Sequence, residues 1–277
     1  MRLSPEEFAQ FAAAHSLLLL AAAILILSVT AAAVLAVGHL AVKHSDRLWM
    51  LIDAFVPGDI WRPRTYLLVY LALGFVLTMT LVALAAITRG VSTGSGLAAF
   101  DLAFAEALSA EVSPGWRSFF WLFTWLGSYL PVTAMAGAAM WRLLSRRRRL
   151  LAGMWAISQA GGLAISETLK VAVARGRPSG ADPLLYGGSA SFPSGHAMAS
   201  FVLCGVGAYI LLRTIRSWRS RVLLVSAALA WCLAMGFSRL YLGVHYFTDV
   251  AAGFLAGAAW VAVCVSGMEV ARRGREL

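Results

Sequence analysis

Seven apolar stretches, each long enough to cross a lipid bilayer, leave this chain almost nothing from which to build a water-soluble domain. One crossing takes about 20 helical residues. The stretches run over roughly 13–38, 65–88, 117–141, 151–173, 196–213, 221–240 and 246–268. Hydrocarbon offers no water to pair with backbone N–H and C=O groups, so single apolar segments of this length must be helices. The predicted fold is all-α, a polytopic membrane helix bundle. Composition agrees: of 277 residues, 60% are hydrophobic and 13% charged, and mean hydropathy is +0.78. A soluble domain typically carries about twice that share of charge.

The net charge of +10 does not indicate a nucleic-acid partner, because the basic residues form short clusters between apolar stretches. That is the pattern that sets orientation in a membrane. Arg142 with Arg146 to Arg149, then Arg213, Arg216, Arg219 and Arg221, then Arg272, Arg273 and Arg275 are expected inside. Alternation places the connection 39–64 inside as well, with Lys43, Arg47, Arg62 and Arg64, and the N-terminus outside. It places the segments around 174–195 and 239–249 on the outer face. A cleaved signal peptide is disfavoured for the first stretch, whose leading region is not basic and whose apolar run is too long. Lys43 and Lys170 are the only lysines, and arginine bias with abundant alanine suggests a bacterial source.

Outside the spans, 97–112 alternates apolar residues with Asp101, Glu106 and Glu111. It reads as an amphipathic helix on the outer surface, with a solvated loop as the alternative. The Gly-, Ser- and Ala-rich segment 179–192 reads as a flexible outer loop. Cys204, Cys232 and Cys264 are widely spaced in apolar runs and read as packing residues. No grouping of carboxylates, Cys or His has the spacing of a metal site, so no metal and no cofactor are expected.

Three fragments stand apart from this apolar background. Lys170 and Arg177 are seven residues apart, two helical turns, and can share a face before Pro178 ends the helix. Glu167, one turn back, is the simple partner for Lys170. Pro193-Ser194-Gly195-His196 precedes an apolar span and suits a helix start, where free N–H groups attract phosphate. His196 in the first turn is placed to give a proton to a departing oxygen. His245 and Asp249, four apart, stack on one helix face, where a carboxylate can fix the imidazole tautomer. Arg239 lies six residues before His245, off a whole number of turns. A turn near Gly243 is required for both to face one site. Three cations converging on one spot call for an oxyanion such as phosphate.

Lys170-x6-Arg177-Pro178, Pro193-Ser194-Gly195-His196 and Ser238-Arg239-x5-His245-x3-Asp249, in this order, resemble the type 2 phosphatidic acid phosphatase superfamily. The resemblance implies a six-span phosphatase core over 65–268, with an outer amphipathic helix near 97–112. An extra N-terminal span and its connection (1–64) precede that core, and a basic tail (269–277) follows. It implies that His245 attacks phosphorus, oriented by Asp249, and that His196 protonates the leaving oxygen. Lys170, Arg177, Ser194, Gly195 (through its N–H) and Arg239 would hold the phosphoryl oxygens, without a metal.

The expected substrate is a lipid phosphate or pyrophosphate reached from the bilayer. Undecaprenyl pyrophosphate comes first, then phosphatidylglycerophosphate or phosphatidic acid. The expected location is the bacterial inner membrane, with the site facing the periplasm or cell exterior. A phosphotransferase using a lipid or sugar acceptor would need the same motifs. The related vanadium haloperoxidases are soluble, which seven spans oppose. A transport or lipid-binding protein would need charge through the depth of the bundle and paired half-repeats, and the sequence has no internal repeat. The oligomeric state leaves no signature in the sequence.

Overall fold

The computed structural model describes residues 5–26, 29, 65–94, 96–185 and 189–273. Those residues form helices and connecting turns, with no strand among them. In chain order the helices are α1 (Pro5–Ala14), α2 (Ser16–Ile26), α3 (Thr65–Ser92), α4 (Gly96–Ala110), α5 (Pro114–Trp125), α6 (Tyr129–Ser145), α7 (Arg149–Val173), α8 (Gly195–Leu212), α9 (Trp218–Tyr241) and α10 (Phe247–Arg273). The chain is a polytopic membrane helix bundle. Among the described residues α8, α9 and the Phe247–Glu269 part of α10 are long and apolar enough to cross a membrane. The number rises to five when each of two bent helix pairs counts as one span. α7, 25 residues long, extends about 37 Å and carries Gln159, Glu167 and Lys170.

The bends correct the reading of uniform spans. The predicted span 117–141 is two helices, α5 and α6, meeting at 46°. Gly127 lies in the break, where a Cβ would come within 2.8 Å of His196 Cδ2 and 2.5 Å of Met235 Sδ. The break therefore makes room for a side chain of α8. After α3 the chain turns by 80° into α4, through Gly94 at φ +64, a conformation that suits glycine. Of the N-terminal span expected over 13–38, residues 13–26 and 29 are described, as the end of α1 and the short apolar helix α2, while the rest of it and 274–277 lie outside the described residues.

α10 is the central helix, packed on α3, α7 and α8, while α8 also packs on α7 and α9. Small residues allow the closest approach: a Cβ at Gly253 would lie 2.6 Å from the carbonyl oxygen of Ser194. That contact sets the start of α8 against the first turns of α10. Two apolar clusters fill the bundle, one around Met198, Val202 and Ala256, the other around Trp155, Val206 and Met268. A third lies at the end of the bundle that holds the three motifs. There Ala9 and Ala13 of α1 meet Phe104 and Leu108 of α4, Phe120 of α5 and Val244. Large apolar side chains such as Trp141, Leu211, Leu223 and Val263 are exposed on the outside of the bundle, where acyl chains rather than water suit them.

Candidate active site

The end of α7 is shaped by one left-handed residue. Ala174 (φ 48, ψ 35) caps the helix, and its N–H donates to the Lys170 carbonyl. This reversal sends residues 175–177 back across the bundle end instead of onward into solvent. Lys170 Nζ donates to Glu167 Oε1 at 2.7 Å, the partner that the sequence offers, and Glu167 also accepts from the Tyr129 hydroxyl at 3.3 Å. Arg177 is tied to the following loop and to the α9–α10 turn. Its Nε donates to Ser189 O at 2.8 Å and its Nη1 to Val244 O at 2.7 Å. Lys170, Arg175, Arg177, Glu167 and Ser189 line one open cavity of about 520 Å³.

The second fragment starts α8. Ser194, fully buried, is its N-cap, and its backbone N–H donates to Asp249 O at 2.9 Å. Gly195 opens the helix with the Lys170 ammonium 3.5 Å from where its Cβ would be, so the helix N-terminus and that cation share one space. The third fragment ends α9 and begins α10. Arg239 is 1% exposed. Its guanidinium donates to Thr124 Oγ1 and Leu185 O, each at 2.8 Å. Gly243, at φ +67, makes the turn needed between Arg239 and His245.

His245 is buried, with Nε2 3.2 Å from Arg177 Nη1. A guanidinium only donates, so Nε2 presents its lone pair and the proton of the neutral ring belongs on Nδ1. Nδ1 faces Asp249 Oδ2 at 3.5 Å, too long for a formed hydrogen bond. Burial pushes the imidazole down to about 4. Arg239 and Arg177 act in the same direction, and Asp249 opposes them. At neutral pH His245 is therefore uncharged, with Nε2 unprotonated. Arg239, His245, Lys170 and Arg177 all lie within electrostatic reach of His196, so the three fragments meet at one place.

Asp249, wholly buried, accepts on every side. Arg175 Nη1 donates to Oδ1 at 2.7 Å, Tyr246 N–H to Oδ2 at 2.9 Å, and the Ser191 hydroxyl to Oδ2. Arg175 reaches further, donating to Thr248 Oγ1 at 2.9 Å and, from Nη2, to Asp101 Oδ2 at 2.8 Å. Burial opposes the Arg175 charge, yet Asp249 and Asp101 together hold the guanidinium above its ordinary range. Leaving two buried carboxylates without this cation would cost several kcal/mol.

Asp101, Arg175, Ser191, Thr124 and Thr248 were not singled out as site residues by the sequence. Glu106 and Glu111 on the predicted outer helix are exposed, but Asp101 is 0% exposed. Its signal was positional: Asp101, Phe104 and Leu108 are spaced i, i+3, i+7, and all three are buried on one face of α4. Three buried side-chain polar atoms lack a hydrogen-bond partner among the described residues: Ser166 Oγ, Arg239 Nε and His245 Nδ1. All three lie at this end of the bundle, Ser166 being 3.7 Å from the Gly195 Cβ position. Unsatisfied buried groups gathered at one place are a mark of a site built for a ligand.

The architecture is similar to that of transmembrane PAP2-type proteins. Residues 150–273 match the family model of the PAP2 superfamily, a span containing all three fragments. The resemblance to that superfamily is thus shown in sequence and in fold. A solved structure, the transmembrane PAP2 type phosphatidylglycerolphosphate phosphatase from Bacillus subtilis, superposes with a TM-score of 0.61 at 25% identity, covering 70% of this chain and 96% of that one. Phosphatidylglycerophosphatase B of Bacillus subtilis is 38% identical over 96 residues, 34% of this chain and 46% of that protein. An undecaprenyl-diphosphatase of Sulfolobus acidocaldarius is 30% identical over 142 residues, 48% of this chain and 59% of that protein. The chain thus spans about half the length of the curated relatives it matches.

Proposed function

We propose that this chain is an integral membrane lipid phosphatase that removes a terminal phosphate through a phosphohistidine on His245. The observation that carries the proposal is the unprotonated Nε2 of His245, held neutral by burial beside Arg177 and Arg239, with Lys170 in reach of the neighbouring His196. In this mechanism Lys170, Arg177, Arg239, the Ser194 side chain and the Gly195 N–H hold the phosphoryl oxygens. His245 Nε2 forms a bond to phosphorus as the bond to the lipid oxygen breaks. His196 gives that oxygen its proton, then takes one from the water that cleaves the P–N bond and releases phosphate. Asp249 supports the charge that His245 acquires as a phosphoimidazolium. The cations supply the charge stabilisation that magnesium gives in other phosphoryl transfers, so the reaction proceeds without metal.

The substrate follows from place. Charge clusters at one end of an apolar bundle, where a phosphate on a lipid is delivered by the bilayer itself. The basic residues at the opposite end favour a cytoplasmic position for that end, which supports an outward-facing site. Undecaprenyl diphosphate, phosphatidylglycerophosphate and phosphatidic acid form the test panel. The first two also match the names of the relatives. Purified protein in detergent with EDTA should release phosphate from at least one of them and accumulate a base-stable, acid-labile phosphoenzyme after rapid quenching. Activity abolished by the chelator, or transfer of the phosphate to an added alcohol with little free phosphate, would overturn hydrolysis by a metal-free site.

A further inference from the structure

Arg175 lines the same cavity as Lys170 and Arg177, and its place in the sequence suggests a fourth cation on the phosphate. Its hydrogen bonds say otherwise. Nη1 is engaged by Asp249 Oδ1 and Thr248 Oγ1, and Nη2 by Asp101 Oδ2. The ring of Tyr246 lies 4.2 Å beneath the guanidinium carbon. Asp101 is equally committed: besides Arg175, it accepts the Thr248 N–H at 3.0 Å and the Thr248 hydroxyl. It therefore caps α10, the helix that carries Asp249. One carboxylate from α4 thus fixes both the start of α10 and the arginine that grips Asp249. We propose that Asp101 and Arg175 form a buried clamp that positions the Asp249 carboxylate beneath His245, making α4 part of the catalytic apparatus.

The geometry explains why a clamp is needed. Asp249 Oδ2 sits 3.5 Å from His245 Nδ1, a contact that small rotations of the carboxylate would lose or shorten. Arg175 pins the other oxygen, and Ser191 and Tyr246 N–H pin the near one. Arg175 also offsets part of the charge with which Asp249 acts on His245. The other charged or titratable groups facing that imidazole are Arg177, Arg239 and His196. Arg175 and Asp101 are positioning residues, acting on phosphate only through Asp249 and His245.

The clamp rests on the phosphatase reading for its catalytic consequence, but not for its test. Detergent-solubilised full chain labelled with ¹⁵N-histidine has five histidines, and the His245 signal is assigned by its loss in His245→Asn. In Arg175→Gln the His245 titration midpoint should rise by about one pH unit, because Asp249 is then unopposed and favours the imidazolium; in the shape-preserving Asp101→Asn it should fall, because Arg175 is left wholly to Asp249. An unchanged midpoint in both folded variants overturns the clamp. If Arg175→Gln does not fold, Asp101→Asn alone decides in the same way.

Phosphate release supplies the second readout. Misplacement of the nucleophile should lower kcat on the order of 100-fold with KM nearly unchanged. A raised KM with kcat preserved would instead make Arg175 a direct phosphate ligand and overturn the proposal. Should wild-type protein release no phosphate from any lipid while the midpoint still moves, the clamp stands and the phosphatase reading fails.

Discussion

The two ends of the bundle carry charge in opposite ways. At the motif end Asp101, Asp249, Arg239 and His245 are all at most 4% exposed, held by hydrogen bonds with α5, the α7–α8 connection and the start of α10. At the other end Arg146, Arg147, Arg148, Arg149, Arg216 and Arg219 are exposed. The main tie there joins Arg213 to Glu269 at 2.8 Å, with Tyr209 beside them. Solvated charge is cheap, adaptable and weak, and it suffices to orient a protein in a membrane. Buried charge is costly and must be fixed by partners, which makes it able to hold a phosphoryl group without reorganising. The same residue type therefore serves two purposes in one chain, and burial decides which.

Substitutions at the buried end should be the severe ones. His245→Ala removes the group proposed to form the covalent bond, and phosphate release should fall to background with no phosphoenzyme trapped. Lys170→Ala removes one donor of several, a loss on the order of 100- to 1000-fold in kcat/KM. Equal residual turnover in the two variants would break the role assignment. Gly127→Ala tests the same end through shape alone. The new methyl would press on His196 Cδ2 at 2.8 Å and on Met235. Displacing the proposed proton donor should lower kcat by on the order of 10- to 100-fold. Unchanged kcat would mean that the flexible Met235 absorbs the whole intrusion.

How far the sequence revealed this contrast depended on whether a residue's task leaves a pattern. The helices were legible because bilayer crossing demands long apolar runs, and Gly243 was legible because Arg239 and His245 cannot otherwise share a site. Arg175 was not. It stands between Lys170 and Arg177, and spacing does not distinguish an arginine that meets substrate from one consumed by Asp249 and Asp101. Asp101 was hidden because its partners Arg175 and Thr248 are 74 and 147 residues away, although its position on the apolar stripe of α4 was a usable sign. The break between α5 and α6 was invisible for another reason: both halves are apolar, and only contact with His196 and Met235 shows why the chain bends.

Burial also has a pH signature, smaller than the effect of removing a side chain. In the proposed mechanism His245 must be neutral to attack, and its pKa is held at about 4, below the ordinary 6.5. Protonation, and loss of the nucleophile, should therefore begin only as pH falls toward 4. Once corrected for ionisation of the substrate phosphate, the acid limb of kcat/KM should lie near pH 4 and fall tenfold per unit below it, the opposite limb reporting the His196 proton. An acid limb centred near 6.5 would mean that water reaches the imidazole, dissolving the difference between the two ends.

The smallest expected effect completes the comparison. Arg216 and Arg219 are exposed in and just beyond the α8–α9 turn, at the end of α8 opposite His196. Converting both to Gln removes two positive charges without disturbing any packed partner. Screened charges a bundle length from the site have almost no energy to contribute there, so kcat/KM should stay within about twofold of wild type. The orientation should persist as well, because Arg146 to Arg149 still mark the same face. Accessibility of a cysteine introduced at Ser189 to a membrane-impermeant thiol reagent, added outside intact cells, reads that orientation directly. A large fall in kcat/KM in correctly oriented protein would show that the exposed arginines act on the site after all. The division between orienting charge and catalytic charge would then have to be redrawn.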